Sequence, residues 1–256
     1  MKHNIVTFVT LTALVLSSVI FWETGFVEFV LIGIGVIYLA CTAYGSSKIE
    51  ANYFINSIHI GKSKGVALTF DDGPDPKTTP AILAVLKKFD VTATFFVIGK
   101  KAELYPDLLR QMDAEGHTIA NHSYSHSYGI GFFSTKRLSD DIARCNEVIA
   151  AILGKTPILF RPPFGVTNPR YAAALKKNGM ISVGWSLRSL DTQAKNKYQV
   201  IEKVISNIKR RDIVLLHDHL PVTADALEDI IEHCRNKRVL LEPLSKVINK
   251  DPYVKI

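Results

Sequence analysis

Residues 66–74 read Val-Ala-Leu-Thr-Phe-Asp-Asp-Gly-Pro. A mostly apolar run stops at two aspartates and a Gly-Pro turn signal. This predicts a buried strand over Val66–Phe70 that delivers Asp71 and Asp72 to its end. A helical pattern over Pro80–Phe89 comes next, and no glycine-rich phosphate loop joins the two. That absence counts against a nucleotide-binding version of an open sheet.

Working outward, the strand-then-helix pattern recurs. Strands are predicted at Thr92–Val97, His117–Ala120, Ile158–Phe160, Ile181–Trp185, Ile213–Leu216 and Val239–Leu241. Helices are predicted at Leu104–Glu115, Lys136–Leu153, Asn168–Asn178, Tyr198–Arg210, Ala224–Cys234 and Leu244–Ile248. Seven β-then-α units in this order predict an α/β fold of parallel strands with helical crossovers. A closed or nearly closed barrel suits that number better than a doubly wound sheet, which stays as the alternative.

Reactive side chains of such folds gather where strands end. Here those positions hold Asp71 and Asp72, then Asn121, His122 and His126, then Arg161. Trp185, Arg188 and Asp191 follow the next strand, and His217, Asp218 and His219 the one after. Titratable residues thus fall at one end of the barrel, segment after segment. Two aspartates before Gly-Pro are more often turn residues when they stand alone. The His122-Ser-Tyr-Ser-His126 spacing puts two imidazoles on one side of a turn, and a strand-end Asp completes two His and one carboxylate. That set leaves coordination positions open and suits a divalent metal: Zn2+ by default, with Co2+, Ni2+ or Fe2+ also served. Asp71 is the candidate base, His217 the candidate acid for a departing amine, and Arg161 a bidentate partner that keeps Asp71 ionised. Together these parts describe amide or ester hydrolysis.

The 256 residues carry a formal charge of +7 and are 47% hydrophobic. Much of that apolar content sits at the start. Two uncharged or nearly uncharged runs, about 5–22 and 26–44, flank a Glu23-Thr24-Gly25 turn. Each approaches the ~20 residues that cross a bilayer, which predicts a transmembrane hairpin over 1–47. A signal peptide is the competing reading of the first run, but it lacks a small-residue cleavage pattern and a second apolar run follows directly. A buried helical hairpin is the other. Residues 48–64 read as a linker and 65–256 as the catalytic domain. Lys2 before the hairpin and Lys48, Lys62 and Lys64 after it place both ends, and the domain, in the cytoplasm by the positive-inside rule. Without residues 1–45, whose Lys2, Glu23 and Glu28 sum to −1, the formal charge is +8. A basic domain tethered to a bilayer favours anionic headgroups or lipid-linked substrates. No basic run is interleaved with aromatics, which excludes a nucleic-acid partner. Cys41, Cys145 and Cys234 have no CxxC spacing and build neither a disulfide framework nor a zinc site.

These segments resemble the polysaccharide deacetylases of carbohydrate esterase family 4, the NodB-homology domain, from about Lys64 to Leu241. Thr69-Phe70-Asp71-Asp72-Gly73-Pro74 looks like the first motif, His122-Ser-Tyr-Ser-His126 the second, Arg161-Pro162-Pro163-Phe164-Gly165 the third, and Ile213-Val214-Leu215-Leu216-His217 the fifth. The resemblance implies a distorted (β/α)7 barrel and N-deacetylation of an amino-sugar glycan. It implies Asp71 as base, Asp72, His122 and His126 as metal ligands, and Arg161 as partner of the base. It also implies the Phe164 amide as an oxyanion donor, Leu215 lining the acetyl pocket, and His217 as acid. The fourth motif departs. Asp191 matches the aspartate that orients His217, but Arg188 stands for an acid and Thr192 for an aromatic, with Trp185 able to supply bulk. Phe164 also stands where tyrosine is common. A rim arginine at 188 suits a phosphate or carboxylate on the substrate. The altered motif also motivates a silent carbohydrate-binding reading, and the residues alone leave an esterase or non-sugar amidase open.

Overall fold

The computed structural model describes residues 2–255. The chain opens with two antiparallel helices, α1 (Lys2–Ile20) and α2 (Val27–Ser47). They pack on each other, and Thr7 Oγ1 and Tyr38 Oη lie 3.2 Å apart across the pair. Their outer apolar faces meet no protein: Phe8 and Phe29 are 71% and 72% exposed. The expected hairpin is therefore present, with its turn near residues 21–26.

The remainder alternates strands and helices: β1 (Ser57–Ile58), β2 (Ala67–Asp71), α3 (Thr79–Lys88), β3 (Thr94–Val97), α4 (Gly99–Leu104), α5 (Pro106–Ala114), β4 (Thr118–Asn121), α6 (Thr135–Leu153) and β5 (Leu159–Phe160). Then come α7 (Pro169–Lys177), β6 (Ile181–Val183), β7 (Leu187–Arg188), α8 (Lys197–Ile205), β8 (Ile213–His217), α9 (Pro221–Asn236) and α10 (Leu244–Ile248). The eight strands form one parallel sheet in the order β1-β6-β5-β4-β3-β2-β8-β7. Strands β2 to β6 succeed one another, and the late strand β8 returns beside β2, as in the distorted barrel expected from the sequence. The ends β1 and β7 do not pair, so the barrel keeps an open seam.

Period-two alternation sorts the strand side chains. Leu68, Phe70, Val214 and Leu216 pack outward under α3, α8 and α9. Ala67, Ile213, Phe96 and Val183 point inward, where Leu244 and Val247 of α10 close the bottom. Thr69, Asp71, Leu215 and His217 share the inward phase and climb toward the open end. The longest outer helix, α6, starts on Ser134, whose side chain accepts from Arg137 N, and stops at Gly154 with φ +69°.

Three expectations need correction. Val239–Leu241 makes only a single bridge, Val66 to Leu241, and no strand. Leu104–Glu115 is not one helix: Pro106 holds Tyr105 out of helical geometry (φ −126°, ψ 57°) and divides α4 from α5. Residues 48–64 are not a free linker, because β1 pairs with β6 and Ile49, Tyr53, Phe54 and Ile55 are buried. A two-residue stretch, Ser57–Ile58, is too short to announce a strand, and β1 gains its partner only from the tertiary fold.

Candidate active site

Asp71 is the last residue of β2, opposite His217 on β8. Asp72 follows at φ +75°. That left-handed turn breaks the alternation that would send the two carboxylates to opposite faces, and Asp tolerates it better than most residues. His122 directly follows β4, while Ser123 and His126 take φ of +69° and +44°. This tight loop, rather than a helix, brings the two rings to 4.9 Å. Asp72 Oδ1 lies 3.1 Å from His126 Nε2 and 3.4 Å from His122 Nε2. The three candidate ligand atoms all fall within 4.8 Å of one another.

The chemistry of these contacts fits a cation. His122 Nδ1 donates to the Arg161 carbonyl at 2.8 Å, so its Nε2 presents a lone pair to the cluster. Asp72 Oδ1 is buried without any hydrogen-bond donor. A lone pair aimed at an unpartnered carboxylate oxygen is repulsive unless positive charge lies between them. Burial, with the neighbouring His122, pushes the His126 pKa down to about 4 against the pull of Asp72 and Asp71, which leaves the ring neutral as a ligand must be.

Arg161, fully buried after β5, organises the other side of Asp71. Nη1 donates to Asp71 Oδ1 at 2.7 Å and to Thr69 Oγ1 at 2.8 Å. Nη2 donates to the Gly184 carbonyl at 2.9 Å and Nε to the Val183 carbonyl at 3.3 Å. The guanidinium also lies 4.1 Å from the Phe96 ring centroid. The expected bidentate pair is thus replaced by a single contact to Asp71. The rest of the fork ties β2 to the end of β6, and Asp71 Oδ2 stays turned toward the cavity, 3.7 Å from His122 Nε2.

Across the cavity His217 Nδ1 donates to Asp191 Oδ1 at 2.8 Å, and its backbone N–H donates to Oδ2 at 2.7 Å. Thr223 Oγ1 and Thr192 N also donate to this carboxylate. Burial alone would lower the His217 pKa. The hydrogen bond and charge of Asp191 outweigh it and raise the pKa above the ordinary imidazole value. Nε2 is left to the cavity.

The cavity between these groups measures about 280 Å³ and is walled by Phe164, Gly165, Trp185, Arg188, Thr192 and Leu215. Gly165 must be glycine: φ is +67° and a Cβ would strike the Trp185 ring. Phe164 sits at φ +61°, with its ring 4.7 Å from that of His126. Among the described residues no acceptor takes its backbone N–H. Every predicted site residue therefore meets in one cavity or in the layer directly behind it.

Some strand-end residues do other work. Asn121 is buried and donates to Ile142 O and Asn146 Oδ1. Asp218 lies behind the Gly73 turn, accepts from Thr79 Oγ1, and has its pKa pushed up to about 7 by burial. His219, noted at the strand end without a role, does line the cavity, with Nδ1 3.7 Å from Asp72 Oδ2. His59 escaped notice altogether, and Lys48 was read only as a charge that sets the membrane topology. They line a second cavity that shares Trp185 and Arg188 with the first. The only sequence signal for them was charge in the stretch read as a linker.

A family model described as polysaccharide deacetylase matches residues 59–183. The peptidoglycan-N-acetylmuramic acid deacetylase PdaC of Bacillus subtilis is 34% identical over 72% of this chain, which spans 38% of that protein's length. A peptidoglycan-N-acetylglucosamine deacetylase of Bacillus cereus is 38% identical over 60% of this chain and 73% of its own. The crystal structure of the Bc1960 peptidoglycan N-acetylglucosamine deacetylase superposes with a TM-score of 0.72 at 30% identity, covering 77% of this chain and 94% of that one. By sequence, motif order and fold, the chain belongs to the polysaccharide deacetylase family, carbohydrate esterase family 4.

Proposed function

We propose that this chain is a membrane-anchored, metal-dependent N-deacetylase acting on an amino-sugar glycan or a lipid-linked amino sugar. The observation that carries the reading is the grouping of Asp72, His122 and His126 around an unpartnered carboxylate oxygen, with Asp71 and His217 on either side of one cavity. Relatives whose names state action on peptidoglycan support the substrate class.

Asp72, His122 and His126 would hold the ion. When bound, a divalent metal supplies a Lewis acid for an acyl carbonyl and makes water acidic enough to attack near neutral pH. Asp71 takes the proton from the attacking water at Oδ2, while Arg161 fixes the carboxylate through Oδ1. The free Phe164 N–H donates to the carbonyl oxygen as negative charge develops. His217 gives the proton at Nε2 to the leaving nitrogen, and Asp191 holds the ring through Nδ1. Leu215 and Trp185 shape the acetyl pocket, and Arg188 meets the substrate at the rim.

The helical hairpin spans the bilayer. Both of its ends are held on the domain, which supports keeping α1 rather than losing it as a leader. Lys2 Nζ donates to Ala51 O at 2.7 Å and His3 N to Tyr53 O at 3.2 Å. Ser46 Oγ donates to Thr167 O at 2.8 Å. The domain lies against one membrane face, which the flanking lysines make the cytoplasmic one.

The test uses the full chain in detergent, metal-stripped and then reloaded with Zn2+, Co2+, Ni2+ or Fe2+. Acetate and free amine released from chitooligosaccharide and peptidoglycan fragments are measured. Reloading restores turnover. Full activity of the stripped protein, or acetate without free amine, overturns the reading, and binding without turnover by any loaded form favours a silent binding protein. A reporter fused at the C-terminus reads the membrane side.

A further inference from the structure

Beside the catalytic cavity lies a second one of about 380 Å³, in the open seam between β1 and β7. Lys48, Glu50, His59, Trp185 and Arg188 line it. Trp185 and Arg188 wall both cavities, which sets the second directly beside the first. Lys48 is the first residue beyond α2. The second cavity therefore opens where the chain leaves the apolar hairpin.

Its charge is unusual for a site that takes neutral acetylated sugars. Among the described residues, neither Lys48 nor Arg188 makes an ion pair or a side-chain hydrogen bond. Both lie exposed at the cavity, facing one carboxylate, Glu50, which is equally unpaired. His59 sits against Gly184, whose carbonyl anchors Arg161, and its Nδ1 lies 3.3 Å from the Ser57 carbonyl. An arginine fork shared with the catalytic cavity and a lysine ammonium in the seam cavity, both free, match the charge of a phosphate.

We infer that this seam cavity is a subsite for a phosphate attached to the amino sugar, and that the phosphate is carried on a membrane lipid. The inference rests on the N-deacetylase reading and names its substrate class. The lipid source follows from position. Lys48 stands at the bilayer edge, where lipid phosphates concentrate. On the other flank of the α2 terminus, next to Ser46, an apolar cavity of about 500 Å³ runs between Phe132, Phe164 and Val166. Tyr128 there is 94% exposed, and tyrosine side chains favour the membrane interface. A soluble sugar phosphate offers the same anion without the lipid, so the two must be compared directly.

The experiment uses the full-length, metal-loaded protein in lipid nanodiscs. Three probes are compared by acetate release: an N-acetylhexosamine phosphate on a polyprenyl chain, the same sugar 1-phosphate without the chain, and a chitooligosaccharide. The expected order of kcat/KM is lipid phosphate, then soluble phosphate, then chitooligosaccharide. Arg188→Ala and Lys48→Ala each lower the ratio of phosphate-bearing to chitooligosaccharide turnover by about tenfold or more, the scale of one lost charge-assisted hydrogen bond. The loss falls mainly on KM, and Arg188→Lys recovers part of it. Both side chains are exposed and unbonded, so the fold tolerates these changes. An unchanged ratio in both variants, or a wild-type preference for chitooligosaccharide, overturns the subsite while leaving the deacetylase reading intact. Equal rates on the soluble and lipid-linked phosphates overturn the lipid source. No turnover of any probe removes the deacetylase reading, and the inference with it.

Discussion

On the β2–β5 side of the catalytic mouth, Arg161 is fully buried and donates to four acceptors drawn from two strands and a turn. On the β7 side, Arg188 is exposed and its guanidinium bonds to nothing among the described residues. The same residue type serves opposite ends here. A buried guanidinium tolerates no other partner geometry, because any acceptor it loses stays unsatisfied. An exposed one can be exchanged at little cost to stability, so its identity follows the substrate. Two departures from the family pattern, Arg188 and Thr192, lie on the second side, and the third, Phe164 in place of the common tyrosine, follows Arg161 on the first and keeps its backbone N–H. The hydrolytic residues lie on the first or, like His217, are tied to a buried carboxylate. On the proposed reading, the reaction is fixed by the folded interior, and specificity is left to the seam.

The sharpest way to break this contrast is at the ion cluster. Asp72→Ala and His126→Ala are each expected to abolish bound metal, measured by elemental analysis, and acetate release together, while the fold survives. A variant that keeps stoichiometric metal would remove Asp72 and His126 as ligands. Next in size is His217→Ala, with kcat lowered by about 10²–10⁴, the usual contribution of a positioned general acid. Asp191→Asn should have a smaller effect with a distinctive direction. Asp191 raises the His217 pKa, and a general acid works only while protonated, so activity fails as pH rises through that raised value. Removing the charge lowers the pKa, and the alkaline limb of the kcat profile must move to lower pH. A limb that stays in place would show that another group donates the proton.

The first side was also the legible one. Strand-end aspartates, the His122–His126 spacing and the order of segments each carry their own local signal, and together they pointed to residues that the fold brings to one cavity. What stayed hidden depended on tertiary partners. β1 and β7 are two-residue strands that exist because β6 and β8 present their edges to them. Lys48 and His59 read as linker residues because nothing in residues 48–64 announces that they close over a seam. The left-handed backbone at Asp72, which lets neighbouring carboxylates share one cavity, has no signature beyond the Gly-Pro that follows. Pro106 was a visible helix breaker that the apolar periodicity around it outweighed. Arg161 was assigned the right neighbour but the wrong geometry, since its carbonyl acceptors lie on β6, remote in sequence.

Arg161→Met tests the buried side by stability rather than rate. It strands the Asp71 carboxylate and the Gly184 carbonyl in the interior, and breaking such a pair costs about 3–5 kcal/mol. Urea unfolding of the α/β domain's signal in the full chain should show that loss, and a midpoint near the wild type would mean that water replaces the guanidinium freely. Arg188→Met, by the same measurement, should lie within about 0.5 kcal/mol of wild type, as exposed substitutions do.

The smallest effect separates backbone from side chain at Phe164, the residue that joins the two sides. Its φ of +61° is strained for any side chain with a Cβ, and glycine adopts it freely. Phe164→Gly therefore keeps the N–H in place and relieves the turn, while it removes the ring packed against His126 and Tyr128. If the amide is the group that stabilises developing charge, kcat should fall by only a few-fold, since one such donor contributes about 10²–10³ when lost. KM should carry the larger change, because the ring walls the cavity that the proposed substrate would enter. A drop in kcat as large as that of losing the donor, with KM unchanged, would instead make the phenyl ring part of the chemistry. The carbonyl oxygen would then have to be held by the ion ligated at Asp72 without help from the chain.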